Sequence, residues 1–406
     1  MAFRAGFGLL VGCLLVGCGS DAPESSRASV ERLGQPSAAD LAVASLLGAG
    51  AGEAPGFFPV YEPSDDDSGR PLYPTALAFN PTQEDELWIT LRQALTDLTC
   101  NADSTSPCMW LRGRVAIVHG ATTAPDPART VEMKEDANSW HFMRRPTSIS
   151  FGDDDTFGTC AEARTSNFED ETIPFNGPVL WSADPAIFGA EAPVDSPTGS
   201  THIDMLHESP YCMGIAHERD NVYWVMNGDA GSLDRYDFHV PHEPGGDDHS
   251  DGELERYAEG ALARVADVPS QLAFDHDRAT LYAADSGHGR IVALDTTSGI
   301  PNVEVPTYDP IQTHVGMTAV RLSEVVPHGR LGVPSGLSLY RDVLFVTDAL
   351  TSRIVAFDRA GRTLATLETG LPPGSLAGIA VGPDGHAYFA DRSSARVLRI
   401  DPAAPP

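Results

Sequence analysis

Phrases of one grammar return along this chain: a proline or small residue, then Ser, Thr or Gly, then a brief apolar run. They read PTALAF from Pro74, PTSISF from Pro146, CMGIA from Cys212, PSQLAF from Pro269, PSGLSL from Pro334 and LAGIAV from Leu376. A second phrase follows four of these, VYWVMN, LYAAD, LFVTD and AYFAD, with VLWSAD as a looser copy. A third, RIVALD, RIVAFD and RVLRID with DRYDFH as a variant, completes the unit. Short runs of this kind, bounded by Gly, Pro, Asp and Ser, are the pattern of strands, and helical spacing is nearly absent. A few short strands cannot bury both faces of their sheet alone. Repeated radially, they form a propeller in which neighbouring sheets cover each other and edges stay short. The expected fold is all-β: a β-propeller of mostly four-stranded antiparallel sheets, with six blades, or seven if the irregular N-terminal third hides another.

The clearest copies are PSQLAFDHDRATLYAADSGHGRIVALD, PSGLSLYRDVLFVTDALTSRIVAFD and LAGIAVGPDGHAYFADRSSARVLRID. On these the chain resembles the NHL-repeat family of six-bladed β-propellers, strongly over residues 265–402, moderately over 205–240 and weakly over 55–200. Within the copies Asp285 and Arg290, Asp348 and Arg353, and Asp391 and Arg396 all stand five apart. An element present in every regular unit is expected to fasten a turn, the carboxylate holding the loop and pairing with the Arg that opens the next strand. In the unit from Cys212 the Asp becomes Asn227, and the loop to Arg235 is longer.

Propeller ligands sit on the axial face, near the start of each innermost strand. The groups waiting there are Arg70, His141 with Arg144 and Arg145, His207 with Glu208, and His328 with Arg330. Three convergent imidazoles suit a zinc-type site with an open position, and Arg145 or Arg330 would stabilise developing negative charge. The plan resembles the peptidyl-amidoglycolate lyases of the same propeller class, with histidines from separate blades around a central metal. That resemblance implies a metal-dependent lyase or hydrolase with His141, Arg145, His207, His328 and Arg330 as catalytic residues. The histidines stand at different offsets from their prolines, however, and residues one apart on a strand face opposite ways. A polar funnel that only solvates the loops is the other reading.

The stretch DFHVPHEPGGDDHSDGELERY gathers His239, His242, Asp247, Asp248, His249 and Asp251. Carboxylates on a Gly-rich turn suit calcium, histidine–carboxylate mixtures suit zinc or another transition metal, and a solvated acidic insertion fits as well. No EF-hand loop is present. Neither a G-x-S-x-G elbow nor a Gly-rich phosphate loop opening a helix occurs, so serine hydrolase chemistry and nucleotide binding by those routes are unsupported.

The 406 residues carry a formal net charge of −30, and Lys134 is the sole lysine. Such a surface repels phosphate backbones, which excludes nucleic acid as a partner. Past the N-terminal region, four cysteines remain, an even number that suggests disulfides in an exported chain. Cys100 and Cys108 flank the loop-like NADSTSP and are expected to bridge; Cys160 with Cys212 follows by elimination, which removes Cys212 as a nucleophile beside His207. Ahead of them, MAFRAGFGLLVGCLLVGCGSDAPESS has a charged start, a short apolar run and a polar sequel. The run is too short to span a membrane. Leu15-Val16-Gly17-Cys18 resembles the bacterial lipobox, which implies cleavage before Cys18 and lipidation of its thiol. The expected organisation is a signal peptide over 1–17, an Ala/Ser/Gly-rich tether over 18–54 in which Ala38 to Leu47 is able to form a short helix, and the propeller over 55–406. Function is expected to be binding of a protein or small ligand by a lipid-anchored, monomeric propeller of the cell envelope. The alternative is the metal-dependent enzyme, with calcium or zinc as the candidate cofactor.

Overall fold

Short apolar strands need cover on both faces, and the chain supplies it by closing a ring. The computed structural model describes residues 36–48, 54–64, 69–94, 111–123, 129–167 and 173–402. Six antiparallel sheets surround an axis. Blade 1 consists of Leu72–Phe79, Glu86–Gln93, Arg114–His119 and Thr130–Lys134, and blade 2 of Pro146–Phe151, Thr156–Ala161, Val179–Ser182 and His202–Met205. Blade 3 is Cys212–Arg219, Val222–Asn227, Ser232–Asp237 and Glu253–Tyr257; blade 4 is Leu272–Asp275, Thr280–Asp285, Arg290–Asp295 and Arg321–Val326. Blade 5 is Pro334–Tyr340, Val343–Asp348, Arg353–Asp358 and Thr363–Glu368. Blade 6 takes Leu376–Val381, Ala387–Asp391 and Arg396–Asp401 from the end of the chain and borrows Gly56–Tyr61 from its beginning, paired antiparallel with Arg396–Asp401. First strands touch first strands all the way round.

The first phrases form these innermost strands, and the ring explains their grammar. Their fourth positions are Leu77, Ile149, Ile215, Leu272, Leu337 and Ile379, all buried, which together line an axial cavity of about 440 Å³. Third positions are small where backbones crowd: a Cβ on Gly214 would strike the Ser270 carbonyl, and one on Gly336 the Ala377 carbonyl. Second-position hydroxyls stitch blades together, Thr75 Oγ1 donating to the Pro146 carbonyl (2.9 Å) and Thr147 Oγ1 to that of Cys212 (2.7 Å).

Second strands such as Val343–Asp348 are buried throughout, which is why they read as continuous apolar runs. An apolar cluster fills each of the six interblade spaces among the described residues. One phrase sits elsewhere than expected: VLWSAD supplies the third strand of blade 2, not its second. The true second strand, TFGTCA, has Gly158 where Ile215 and Tyr223 of blade 3 press in, so it lacks the apolar signature of its counterparts.

The repeated carboxylates hold turns. Asp348 accepts from the backbone N–H groups of Gly332, Val333 and Leu350, and Asp391 from that of Ser393. Their expected arginine partners need correcting. Asp285 pairs with Arg290 at 2.7 Å, but Arg353 turns outward to Glu368 and Arg396 to Glu62, because the fourth strand of each blade offers a nearer carboxylate.

A disulfide joins Cys160 of blade 2 to Cys212 of blade 3, with Cα atoms 5.0 Å apart. Cys100, Cys108 and Cys18 lie outside the described residues. Within the expected tether, the helix Ala38–Ala44 is capped reciprocally by Ser37 and Asp40, and Val43, Ala44 and Leu47 pack on blades 5 and 6. No helix of the described residues is long and apolar enough to cross a membrane. The other addition is a hairpin, Ile300–Glu304 with Thr313–Thr318, inserted between the third and fourth strands of blade 4. It leaves its own blade and pairs parallel with Glu253–Tyr257 of blade 3.

Candidate functional site

Around the axis, at the end opposite the aliphatic cavity, polar side chains from four blades meet. Glu162, just past the second strand of blade 2, accepts from Arg92 Nη1 (2.9 Å), Arg145 Nη2 (2.9 Å) and Arg264 Nη1 (3.1 Å). Asp267, ahead of blade 4, accepts from Arg92 Nη1 (2.6 Å), Tyr73 Oη (3.2 Å) and Arg392 Nη2. Burial pushes both carboxyls up, but Arg92 and its neighbouring guanidinium groups win and hold them below the usual range. Arg145 and Asp267 both have left-handed backbones (φ 55° and 66°), which turns their side chains into this cluster. Arg145, expected beside catalytic histidines, therefore belongs to a buried ion-pair lock.

His141 and His207 do come together, over the junction of blades 2 and 3. His141 rides on a single helical turn, Ser139–Phe142, and His207 follows the outer strand of blade 2. Their Nε2 atoms are 3.2 Å apart. Asp309, delivered by the blade 4 insertion, accepts from the His207 backbone N–H (2.6 Å) and faces its Nδ1 at 3.1 Å, while Phe175 stacks on the ring at 3.7 Å. A proton on His207 Nδ1 leaves its Nε2 as acceptor for His141 Nε2–H, so the three groups form a relay. Burial, and then the neighbouring His207, pull His141 down to about 3.

His328 and Arg330 do not join them. Both are exposed in the turn between blades 4 and 5, where Arg330 Nη2 donates to Thr363 Oγ1 (3.0 Å). The fourth strand of blade 4 delivers them to a different sector of the ring from blades 2 and 3.

Beside the His207 backbone, Glu208 points the other way. Its Oε1 accepts from the N–H groups of Tyr308 (2.6 Å) and Asp309 (3.0 Å), and burial pushes its carboxyl up to about 7. It lines a cavity of about 220 Å³ with Asn227, Arg256, Tyr308 and His314. Arg256 is engaged by buried Asp234 at 3.0 Å. His314 is buried and neither ring nitrogen is within hydrogen-bond distance of a partner, although Nδ1 faces Glu208 Oε2 at 3.9 Å; burial, then Arg256, lower it to about 4.

Of the acidic loop, His242 and His249 fold back on blade 2, where they meet His202. The rest turn elsewhere: His239 is exposed near Asp237 and Glu253, Asp248 accepts from Ser250 N–H, and Asp251 from Val240 N–H. Asp247 is exposed. These carboxylates do not gather into a calcium cage, because each is used in a local turn or left in solvent.

Sequence reasoning missed His202, Asp309 and His314. His202 and His314 lie on strands outside the repeated phrases and Asp309 in the connection of the inserted hairpin, so no repeat frames them; the one available signal was histidine or aspartate within an otherwise strand-like run, as in THIDM.

No protein-family model matches the sequence, and no curated protein matches it. Solved structures share the architecture. An auxiliary nutrient binding protein from Bacteroides thetaiotaomicron VPI-5482 is similar at 10% identity, with 86% of this chain and 78% of that chain covered and a TM-score of 0.52. One from Bacteroides ovatus ATCC 8483 matches at 10% identity over 86% and 76%, with a TM-score of 0.51. A virginiamycin B lyase from Staphylococcus aureus, a catalytically inactive form with quinupristin, gives 11% identity over 86% and 89% and a TM-score of 0.46. At such identities the likeness shows the six-bladed fold alone.

Proposed function

We propose that the chain is a ligand-binding module of the bacterial cell envelope, an NHL-type propeller that takes a small polar molecule in the cavity between Glu208 and His314. One observation carries this reading: His314 is 3% exposed at a cavity wall, where neither ring nitrogen makes a hydrogen bond and Glu208 Oε2 stands 3.9 Å from Nδ1, too far to satisfy it. A buried polar group of that kind is costly until water or a ligand meets it. Arg256 is already neutralised by Asp234, so the cavity offers neutral donors and acceptors, the raised carboxyl of Glu208 and, at its exposed rim, the Asp229 carboxylate. Such a set suits hydroxyl, amide or amine groups. The space equals about seven waters at roughly 30 Å³ each, the size of an amino acid or a monosaccharide. Two propellers of this fold are named auxiliary nutrient binding proteins, which is in keeping with a small solute.

An enzyme reading would draw on Asp309, His207 and His141. There the two Nε2 atoms face each other, so neither is turned to a substrate, and His328 supplies no third donor. Binding is the better account. The lipid anchor at Cys18 and the envelope location are supported by the apolar run and the lipobox-like tetrapeptide.

Calorimetric titration of the full chain in detergent against a panel of monosaccharides and amino acids tests the cavity. A binder is expected, and His314→Phe should abolish its binding without lowering the unfolding midpoint. A panel without a binder, or undiminished binding by the variant, overturns the proposal. Mass spectrometry showing Cys18 free of acyl chains would remove the anchor.

A further inference from the structure

We infer that His202, His242 and His249 bind a divalent transition-metal ion of the zinc class, which clasps the long loop of blade 3 to the outer strand of blade 2. This site shares no residue with the ligand cavity and goes beyond it. One nitrogen from each ring lies within 4.8 Å of the others. A tetrahedral ion with bonds of about 2.0–2.1 Å needs its ligands about 3.3 Å apart. The remaining gap closes by side-chain rotation, since two of the three donors sit on a loop.

The case is stronger than proximity, because every ring has its other nitrogen engaged. His242 Nδ1–H donates to the Glu243 carbonyl at 2.8 Å, which makes Nε2 the lone-pair nitrogen. His249 Nδ1 pairs with Asp204 Oδ1 at 2.9 Å, with the same consequence. His202 Nδ1 meets Ser200 Oγ at 3.2 Å. The Nε2 atoms of His202 and His242 are buried without any hydrogen-bond partner. Carboxylate or carbonyl on one nitrogen and metal on the other is the usual support of a histidine ligand. His202 is itself fully buried and stacked on Phe142 at 4.0 Å, so its free nitrogen has no water to turn to.

The backbone brings the loop to this place independently. His242 N–H donates to the Ile203 carbonyl (3.0 Å) and Gly245 N–H to that of His202 (2.8 Å), so the loop runs along the exposed edge of the outer strand of blade 2. Gly245 is left-handed (φ 78°), and a Cβ on Gly246 would come 2.7 Å from His242 Nδ1. The two glycines let the loop lie flat with both imidazoles turned inward. Three imidazoles and no converging carboxylate favour zinc, cobalt, nickel or copper over calcium. With three protein ligands, one position of a tetrahedral ion is left for a water or another small ligand.

The test uses the full chain without a histidine tag, stripped by chelator and titrated with Zn²⁺, Co²⁺ or Ca²⁺. Expected are one Zn²⁺ per chain, a rise of about 3–5 °C in unfolding midpoint at saturation, visible absorption with Co²⁺, and no response to Ca²⁺. His242→Ala, which leaves the His249–Asp204 pair in place, should weaken binding at least about 10-fold with little change in the metal-free midpoint, and adding His249→Ala should abolish binding and lower that midpoint by stranding the buried Asp204 carboxyl. Asp204→Asn, a positioning change, should weaken binding about 10–100-fold. Zinc binding that survives the double substitution but is lost in His141→Ala would put the ion on the other histidine pair and overturn the inference. A calcium response, or no ion retained, would do so as well.

Discussion

Blades 5 and 6 and blades 2 and 3 follow one four-strand plan and use it differently. In blades 5 and 6 the connections are short, each turn is held by an aspartate, and apolar side chains fill the space between the sheets. Blade 3 keeps the turn device in altered form, with Asn227 Oδ1 accepting from Asp229 and Ala230 N–H groups at 3.0 Å. To this it adds a loop carrying His242 and His249 and a two-stranded extension from blade 4. Blade 2 contributes His141, His202 and His207. The regular parts of the repeat therefore supply what ring closure demands. Departures from it collect histidines with unmet hydrogen-bonding capacity.

That contrast can be broken at several points. The largest expected effect is in the regular half: Phe345→Ala empties the space between blades 5 and 6 and should cost about 3–5 kcal/mol in denaturant unfolding. A loss under 1 kcal/mol would mean that these blades do not bear the stability assigned to them. Next, Asp348→Ala strands the backbone N–H groups of Gly332, Val333, Leu350 and Thr351 and should cost about 1–3 kcal/mol. Asn227→Ala should fall in the same range, since the turn device is common to both halves; a silent Asn227→Ala would sharpen the difference between them.

A smaller effect separates scaffold from site by pH. The Glu208 carboxyl is raised in the folded state, so it favours folding most below its unfolded value near 4.5, and this advantage is lost as pH rises through about 7. Glu208→Gln keeps an acceptor for the Tyr308 and Asp309 N–H groups and removes the charge. Relative to the parent, it should gain on the order of 1 kcal/mol between pH 5 and pH 8. A pH-independent difference would place the Glu208 carboxyl in solvent. Smallest of all, Val303→Ser on the exposed face of the inserted hairpin should shift stability by less than about 0.5 kcal/mol.

Most of the scaffold was legible along the chain. The six innermost strands and the all-β class follow from local alternation and turn chemistry, and Cys160 with Cys212 followed from counting cysteines. The site was legible only in pieces. His141 and His207 stood out as groups ahead of a strand, but their partner Asp309 lies 102 positions from His207 and belongs to another blade's insertion. His328 occupied an equivalent-looking place and ended in solvent. Arg145 was assigned to chemistry, whereas its left-handed backbone carries it to the axial lock. The acidic loop was singled out, yet only its two inward histidines meet His202, and its carboxylates serve turns.

What the sequence determined by itself is the blade: strand length, the aliphatic fourth position, the small third position in all but the Pro269 phrase and, in blades 3 to 6, the Asp or Asn at the turn are each set by interactions within a few residues or by a contact between neighbouring blades. Only the tertiary structure decided which side chains share a cavity. Those meetings depend on where a long connection folds over its neighbours, and no local pattern encodes that, because the energy that directs it comes from edges and surfaces that exist only once the ring has closed.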